Sequence, residues 1–318
     1  MGSLSDTSPF GTSLLDTSLP RFRSELIDNG YADHEIRSAI RAGVLTSLGH
    51  GVVIASEHLG DTDEQRHRAL SLAYARRNPP DRALTDASAA AVLGLPVWGL
   101  DTSRVAMSVS GRRSRSKSTG ATYLVTDRRP RSTTVVDGVL VVSPARVVVD
   151  LARRAPREAA VVVGNAALHD KLCTVDDLQN ELDMIAGMSG AAAAHRIIAL
   201  LNGASESVLE SRSLVLFVDA ALPMPELQVE FFDQFGNLIA RVDFFWREHG
   251  VIGLCDGMKK YDGEEGTKRY RTEKEQDDAL TELGYRMCHW YWKDLEQPQR
   301  RTRLIQRLEK KLSVRSAA

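Results

Sequence analysis

Several things are scarce in this chain of 318 residues, and each scarcity narrows the field. Its three cysteines, Cys173, Cys255 and Cys288, stand far apart with no C-x-x-C spacing. That argues against a zinc knuckle and a disulfide framework and leads us to expect a reduced, cytoplasmic compartment. An excess of one charge is missing too: 41 Lys and Arg meet 42 Asp and Glu, a formal net charge of −1. No global field draws such a chain onto nucleic acid or anionic lipid, so binding of that kind has to come from local patches. No apolar run approaches the length needed to span a bilayer, and no membrane association is expected. Residues 1–17, rich in Ser, Thr and Asp, lack a basic segment followed by an apolar one and read as a disordered tail, not a signal peptide. There is no internal repeat. What remains is ordinary for a globular protein, 43% hydrophobic and 26% charged, in a length that accommodates two or three domains.

Against that background one stretch stands out. Arg241 to Trp246 and Val251 to Gly257 are apolar runs joined by Arg247-Glu248-His249-Gly250, a predicted β-hairpin. Each run carries a carboxylate, Asp243 and Asp256, where a buried strand should carry none. Residues two apart on a strand share a face, so Leu254 lies with Asp256, and a suitable register adds Asp243. Burying two carboxylates together is costly without a cation or a hydrogen-bond network. The hairpin therefore reads as a site.

Residues 18–60 read as a helix capped by Ser18 with Leu19, Phe22, Leu26 and Ile27 on one face, then a second helix capped by Asp33 with Ile36, Ala39 and Ile40 inward. A tight hairpin through Gly49-His50-Gly51 follows. Two short helices and a hairpin describe a winged helix-turn-helix. In that fold the second helix enters the major groove of double-stranded DNA. The contacts would then be His34, Arg37, Ser38 and Arg41, with His50 at the wing tip.

Residues 61–205 read as a central α+β region: a helix broken at Asn78-Pro79-Pro80, a small-residue helix from Asp86, short strands of an antiparallel sheet, and further helices from Ser143-Pro144 onward. The loop holding Arg112, Arg113, Arg115 and Lys117 is either a phosphate-contact loop or a solvated charge run. Arg146 and Asp150, at i and i+4, read as a helix-surface pair. Nothing here resembles a nucleophile-base pair, phosphate loop or metal cluster.

Gly30-Tyr31-Ala32 through Val52-Val53-Ile54 and then Thr85 to Ala90, Gly94-Leu95-Pro96 and Ser143 to Arg153 together resemble the actinobacterial AbiEi-type antitoxin and transcriptional-regulator family. The resemblance implies DNA binding and a nucleotidyltransferase-like toxin as partner. Asp86 departs from it, since histidine is frequent at that position in the family.

Residues 206–318 read in the order α-β-β-β-α-β-α. Glu210, Gln228, Asp243, Asp256-Gly257, Lys260-Tyr261, Glu273-Lys274 and Trp290 stand in an order that resembles the PD-(D/E)xK nuclease fold, and more narrowly the very-short-patch repair branch. That resemblance implies Mg²⁺ held by Asp243 and the carbonyl of Cys255, with Glu210 as an outer ligand, Gln228 orienting water or phosphate, and Lys260 or Lys274 stabilising charge; Asp256 or Glu230 could in part replace a ligand this chain lacks. The family places a glutamate two residues before the Asp-Gly; here Leu254 occupies that position and offers no lone pair. Mg²⁺ binding should be weakened accordingly. The expectation is thus a multidomain α+β protein associated with DNA and carrying a degenerate nuclease-fold module. An active Mg²⁺-dependent endonuclease and a protein-interaction scaffold are the alternatives.

Overall fold

The computed structural model describes residues 19–78, 81–110, 117–119, 122–127, 132–256 and 263–313. The chain divides into two compact units, Met1–Ala159 with Leu172–His195, and Ala160–Lys171 with Arg196–Ala318. Among the described residues the fold is mixed α/β with three sheets. No described helix is long and apolar enough to cross a membrane.

The first unit opens with β1 (Arg21–Phe22), α1 (Arg23–Asp28), α2 (Asp33–Arg41), β2 (Leu45–Gly49) and β3 (Val52–Ala55), the strands ordered β1-β3-β2. The helix predicted from Ser18 begins only at Arg23. Arg21 and Phe22 are extended instead and pair with Val53 and Val52. Phe22 is buried edge-on against Tyr74, ring centroids 5.0 Å apart, while Leu19 and Ile27 are exposed. Sheet pairing and an aromatic contact outweigh the local period there. The second helix keeps its expected inner face: Ile36 and Ala39 are buried with Leu26, Leu45, Val53 and Ala55. Its cap is Ala32, whose N–H donates to the Glu35 carboxylate at 2.8 Å. Asp33 instead lies inside the helix and pairs with Arg23 and, at 2.7 Å, with Arg37.

Next come α3 (Asp63–Arg77), β4 (Ala83–Leu84), α4 (Asp86–Val92), β5 (Val105–Ser110), β6 (Lys117–Thr119), β7 (Thr122–Asp127), β8 (Thr133–Val136) and β9 (Val139–Val142). These strands form one sheet ordered β6-β7-β5-β4-β9-β8. It is mixed rather than antiparallel: β5 runs parallel to β7 and β4 parallel to β9. The hairpin β6–β7 reverses the chain twice after β5, which restores its direction. His67 on α3 and Ser88 on α4 join at 3.0 Å, and the Ser88 hydroxyl also accepts the Ala106 N–H at 2.9 Å, tying both helices to β5.

The helices α5 (Pro144–Arg154), α6 (Arg157–His169), α7 (Val175–Met184) and α8 (Ala191–Ile198) follow. The Arg146–Asp150 pair on α5 is a core feature, not a surface one, with Arg146 1% and Asp150 3% exposed. Asp150 takes Arg146 at 3.7 Å, Arg153 at 3.1 Å and Arg154 at 3.6 Å, and Arg154 reaches Asp86 at 2.5 Å.

The second unit contains α9 (Val208–Asp219), β10 (Glu226–Phe232), β11 (Leu238–Trp246), β12 (Val251–Asp256), α10 (Gly263–Glu282), β13 (Arg286–Tyr291), α11 (Trp292–Glu296) and α12 (Pro298–Leu312). The sheet order is β10-β11-β12-β13, antiparallel except for the last pair. One face packs Leu209, Phe217, Phe244, Trp246 and Trp290 with the leucines of α12; the other packs Val242, Phe245 and Ile252 with Leu280 of α10. The Trp290 indole donates to the Ser213 hydroxyl at 2.8 Å, so a wholly buried ring leaves no orphan donor. Gly253 makes room for it: a Cβ there would lie 2.6 Å from Trp290.

Candidate functional site

The second unit carries a cleft of about 820 Å³ lined by residues from α9, β11, β12, α10 and β13. A fault in the sheet shapes it. Leu227 pairs with Phe244 and both pack on the α9 side; Val229 pairs with Val242 and both pack on the α10 side. Residues two apart on a regular strand keep one face. Here both strands switch faces, and the switch falls at Gln228 and Asp243. Gln228 has φ +54°, a left-handed conformation that costs a residue other than glycine on the order of 1–3 kcal/mol.

The next fault lies between β11 and β12. Their ladder stops at Phe244 opposite Gly253. Beyond it the Cys255 N–H donates to the Asp243 carboxylate at 2.8 Å instead of to a strand carbonyl. On the far side of Asp243, Glu210 sits in the first turn of α9, where Ser207 caps the helix by accepting the Glu210 N–H at 3.1 Å. The buried Glu210 carboxylate accepts from Gln228 Nε2 at 3.0 Å and from the Glu206 N–H at 2.9 Å. Burial, with the Asp243 charge adding to it, raises the Glu210 pKa. Burial likewise raises that of Cys255, keeping a neutral thiol there rather than a nucleophile.

Asp256 has a different set of partners. Its carboxylate lies 3.5 Å from His289 Nδ1, and His289 Nε2 lies 3.0 Å from Asp277 on α10. The hydrogen bond to Asp256, reinforced by the Asp277 charge, raises the His289 pKa against its burial. The two carboxylates of the hairpin thus line one cleft but belong to separate clusters: Asp243 with Glu210, Gln228 and Cys255, and Asp256 with His289 and Asp277. His289 and Asp277 were not singled out in the sequence. A titratable residue between buried Cys288 and Trp290 was the available signal.

Among the described residues no group of three or more His, Cys, Asp and Glu side chains is placed to hold a metal ion. Asp243 accepts the Cys255 N–H, the imidazole stands between Asp256 and Asp277, and Leu254 packs with the apolar cluster that contains Leu280. Lys274 lines the cleft. Lys260 lies outside the described residues, as do Gly257, Tyr261, residues 1–17, the Pro79-Pro80 break and the loop cations Arg112, Arg113 and Arg115. Lys117 is on β6, where only the backbone is described.

In the first unit, His34, Arg37 and Arg41 are exposed on α2 and Ser38 is half-buried beside them. His50 is exposed at the β2–β3 turn with φ +52°, between Gly49 and Gly51, which are also left-handed. These five side chains occupy one helix face and one hairpin tip.

Residues 88–203 match the model of the AbiEi antitoxin C-terminal domain. Two Mycobacterium tuberculosis proteins described as uncharacterized, MT2308 and Rv2248, are each 29% identical to this chain over 150 residues, 47% of its length. The chain spans about half the length of these curated relatives, 54%. The crystal structure of the RV2827C protein from M. tuberculosis aligns with 69% of this chain and 85% of its own, at 16% identity and a TM-score of 0.35.

Proposed function

We propose that the chain is a DNA-associated regulator or antitoxin-like factor, acting in the cytoplasm. The match of residues 88–203 to the AbiEi antitoxin C-terminal domain carries this reading. The two helices and hairpin before it are read as a winged helix whose α2 enters the major groove of double-stranded DNA. His34, Arg37, Ser38 and Arg41 would meet phosphates and base edges, and His50 would meet the flanking backbone. The Arg37–Asp33 pair is solvent-exposed and worth little, so the guanidinium can turn to a phosphate at small cost. A nucleotidyltransferase-like toxin is the partner this reading implies.

Fluorescence anisotropy with a duplex taken from upstream of the gene tests it. Wild type should bind, and Arg37→Ala with Arg41→Ala should weaken binding at least tenfold with an unchanged circular dichroism spectrum. Equal affinity for both proteins would sink the winged-helix assignment.

The second unit is read as a PD-(D/E)xK-type module that retains the fold but has impaired catalysis. The fork between β11 and β12, with Asp243 filling it beside Glu210 and Gln228, supports the ancestry; Leu254 supports the impairment. An active Mg²⁺-dependent endonuclease remains the second reading, favoured by the same fork. Cleavage of supercoiled plasmid in Mg²⁺ or Mn²⁺ decides between the two.

A further inference from the structure

The closing helix α12 is basic, and no residue of it lines the cleft. Its apolar residues Leu304, Leu308 and Leu312 are 1%, 0% and 6% exposed, so the helix is anchored to the second unit along one stripe. Arg300, Arg303, Arg307 and Lys310 follow at i, i+3, i+7 and i+10, which on a 3.6-residue period falls on one side of the helix. All four are exposed. At a rise of 1.5 Å per residue the row is about 15 Å long.

The acids nearby neutralise it only in part. Asp294 on α11 lies 3.7 Å from Arg300, and Asp219 on α9 lies 3.5 Å from Arg301, outside the row. Glu309 is the one acid on α12, roughly half a turn from the row. Arg307 donates to the His289 carbonyl at 2.6 Å, which places the row beside the strand whose His289 side chain lines the cleft. Arg303 and Lys310 have no ion-pair partner among the described residues. In a chain of net charge −1, this is a local cationic stripe on a rigid support.

We propose that α12 is a second nucleic-acid contact, holding the phosphate backbone of duplex DNA along Arg300, Arg303, Arg307 and Lys310. Charge complementarity and the regular row point to a polyanion. The polyanion is DNA rather than an anionic membrane, because a helix lying on lipid inserts an apolar face and that of α12 is already spent on the core. The inference rests on the reading of the chain as DNA-associated, but on different residues.

The test measures duplex DNA affinity by anisotropy from 50 to 200 mM salt, for the full chain, Arg303→Ala/Lys310→Ala, and Arg37→Ala/Arg41→Ala. Each phosphate contact contributes about 0.9 to the slope of log affinity on log salt. Removing two should flatten the slope by about 1.8, so that wild type loses about tenfold more affinity than the α12 variant over that range. Both substituted side chains are exposed, so an unchanged thermal melt is expected. A wild-type slope in the α12 variant would overturn the inference while leaving the winged-helix reading in place. A loss confined to the α12 variant would uphold the inference and sink the other. No binding at 50 mM salt would sink both, and stronger retention by phosphatidylserine vesicles than by DNA would overturn the choice of partner.

Discussion

Asp150 in the first unit and Glu210 in the second are equally buried carboxylates with opposite surroundings. Asp150 is 3% exposed and ringed by the guanidinium groups of Arg146, Arg153 and Arg154. Glu210 is 5% exposed, accepts from one amide side chain and one backbone N–H, and faces a second acid, Asp243. A buried charge matched by cations holds a fold together. A buried acid held near another acid is costly to ionise, and a cleft with that arrangement is a candidate for ligand binding.

The largest effect that sharpens this contrast should come from Asp150→Ala. It leaves Arg146 buried without its main counter-charge and should cost about 3–5 kcal/mol in urea unfolding. A loss below about 1 kcal/mol would mean that the Asp150 set is not structural.

His67 extends the comparison to pH. Burial lowers its pKa to about 4 from an ordinary 6.5. The unfolded chain takes up a proton below pH 6.5 while the folded chain resists until about pH 4, so stability falls as pH drops through that window. The loss attributable to His67 is roughly 3 kcal/mol, at 1.36 kcal/mol per pH unit. His67→Gln should flatten the stability profile between pH 6.5 and 4; an unchanged slope would refute the assignment.

Leu254→Glu should be intermediate. It adds another acid to a cleft already rich in them and removes a side chain that packs toward Leu280, at a cost of about 2 kcal/mol. Part of that should return on adding MnCl₂, with no comparable rise in melting temperature for wild type. A variant melt insensitive to Mn²⁺ would show that the missing glutamate is not what separates this cleft from a metal site.

Glu210→Gln should have the smallest effect and the opposite sign. Because the folded state raises this pKa, ionised Glu210 opposes folding above the unfolded value near 4.5. The variant should match or exceed wild type at pH 7 by up to about 1 kcal/mol, and the gain should vanish below pH 4. Marked destabilisation at pH 7 would place Glu210 with Asp150 as a structural acid.

How much of this was legible in the sequence differs by feature. The hairpin from Arg241 to Asp256 and the element order of the second unit could be read, because alternation and Gly250 mark them locally. So could the exposed face of α2. The sheet fault could not: Gln228 takes a left-handed conformation with neither glycine nor asparagine to announce it. Arg146 and Asp150 were misplaced because i, i+4 spacing says nothing about burial. Their neighbours Val147, Val148, Val149 and Leu151 surround the helix with apolar residues, and that was the missed signal. The pairing of Asp243 with Asp256 failed because the face switch at Gln228 and Asp243 changes which side each carboxylate joins.

One gel tests the central claim most directly: supercoiled plasmid incubated with the protein in MnCl₂, run beside Asp243→Ala. A DNA-associated protein with an impaired nuclease-fold cleft predicts retarded but uncut plasmid, identical for both proteins after deproteinisation. Nicked or linear plasmid with wild type, absent with Asp243→Ala, would contradict it and make the cleft a working active site.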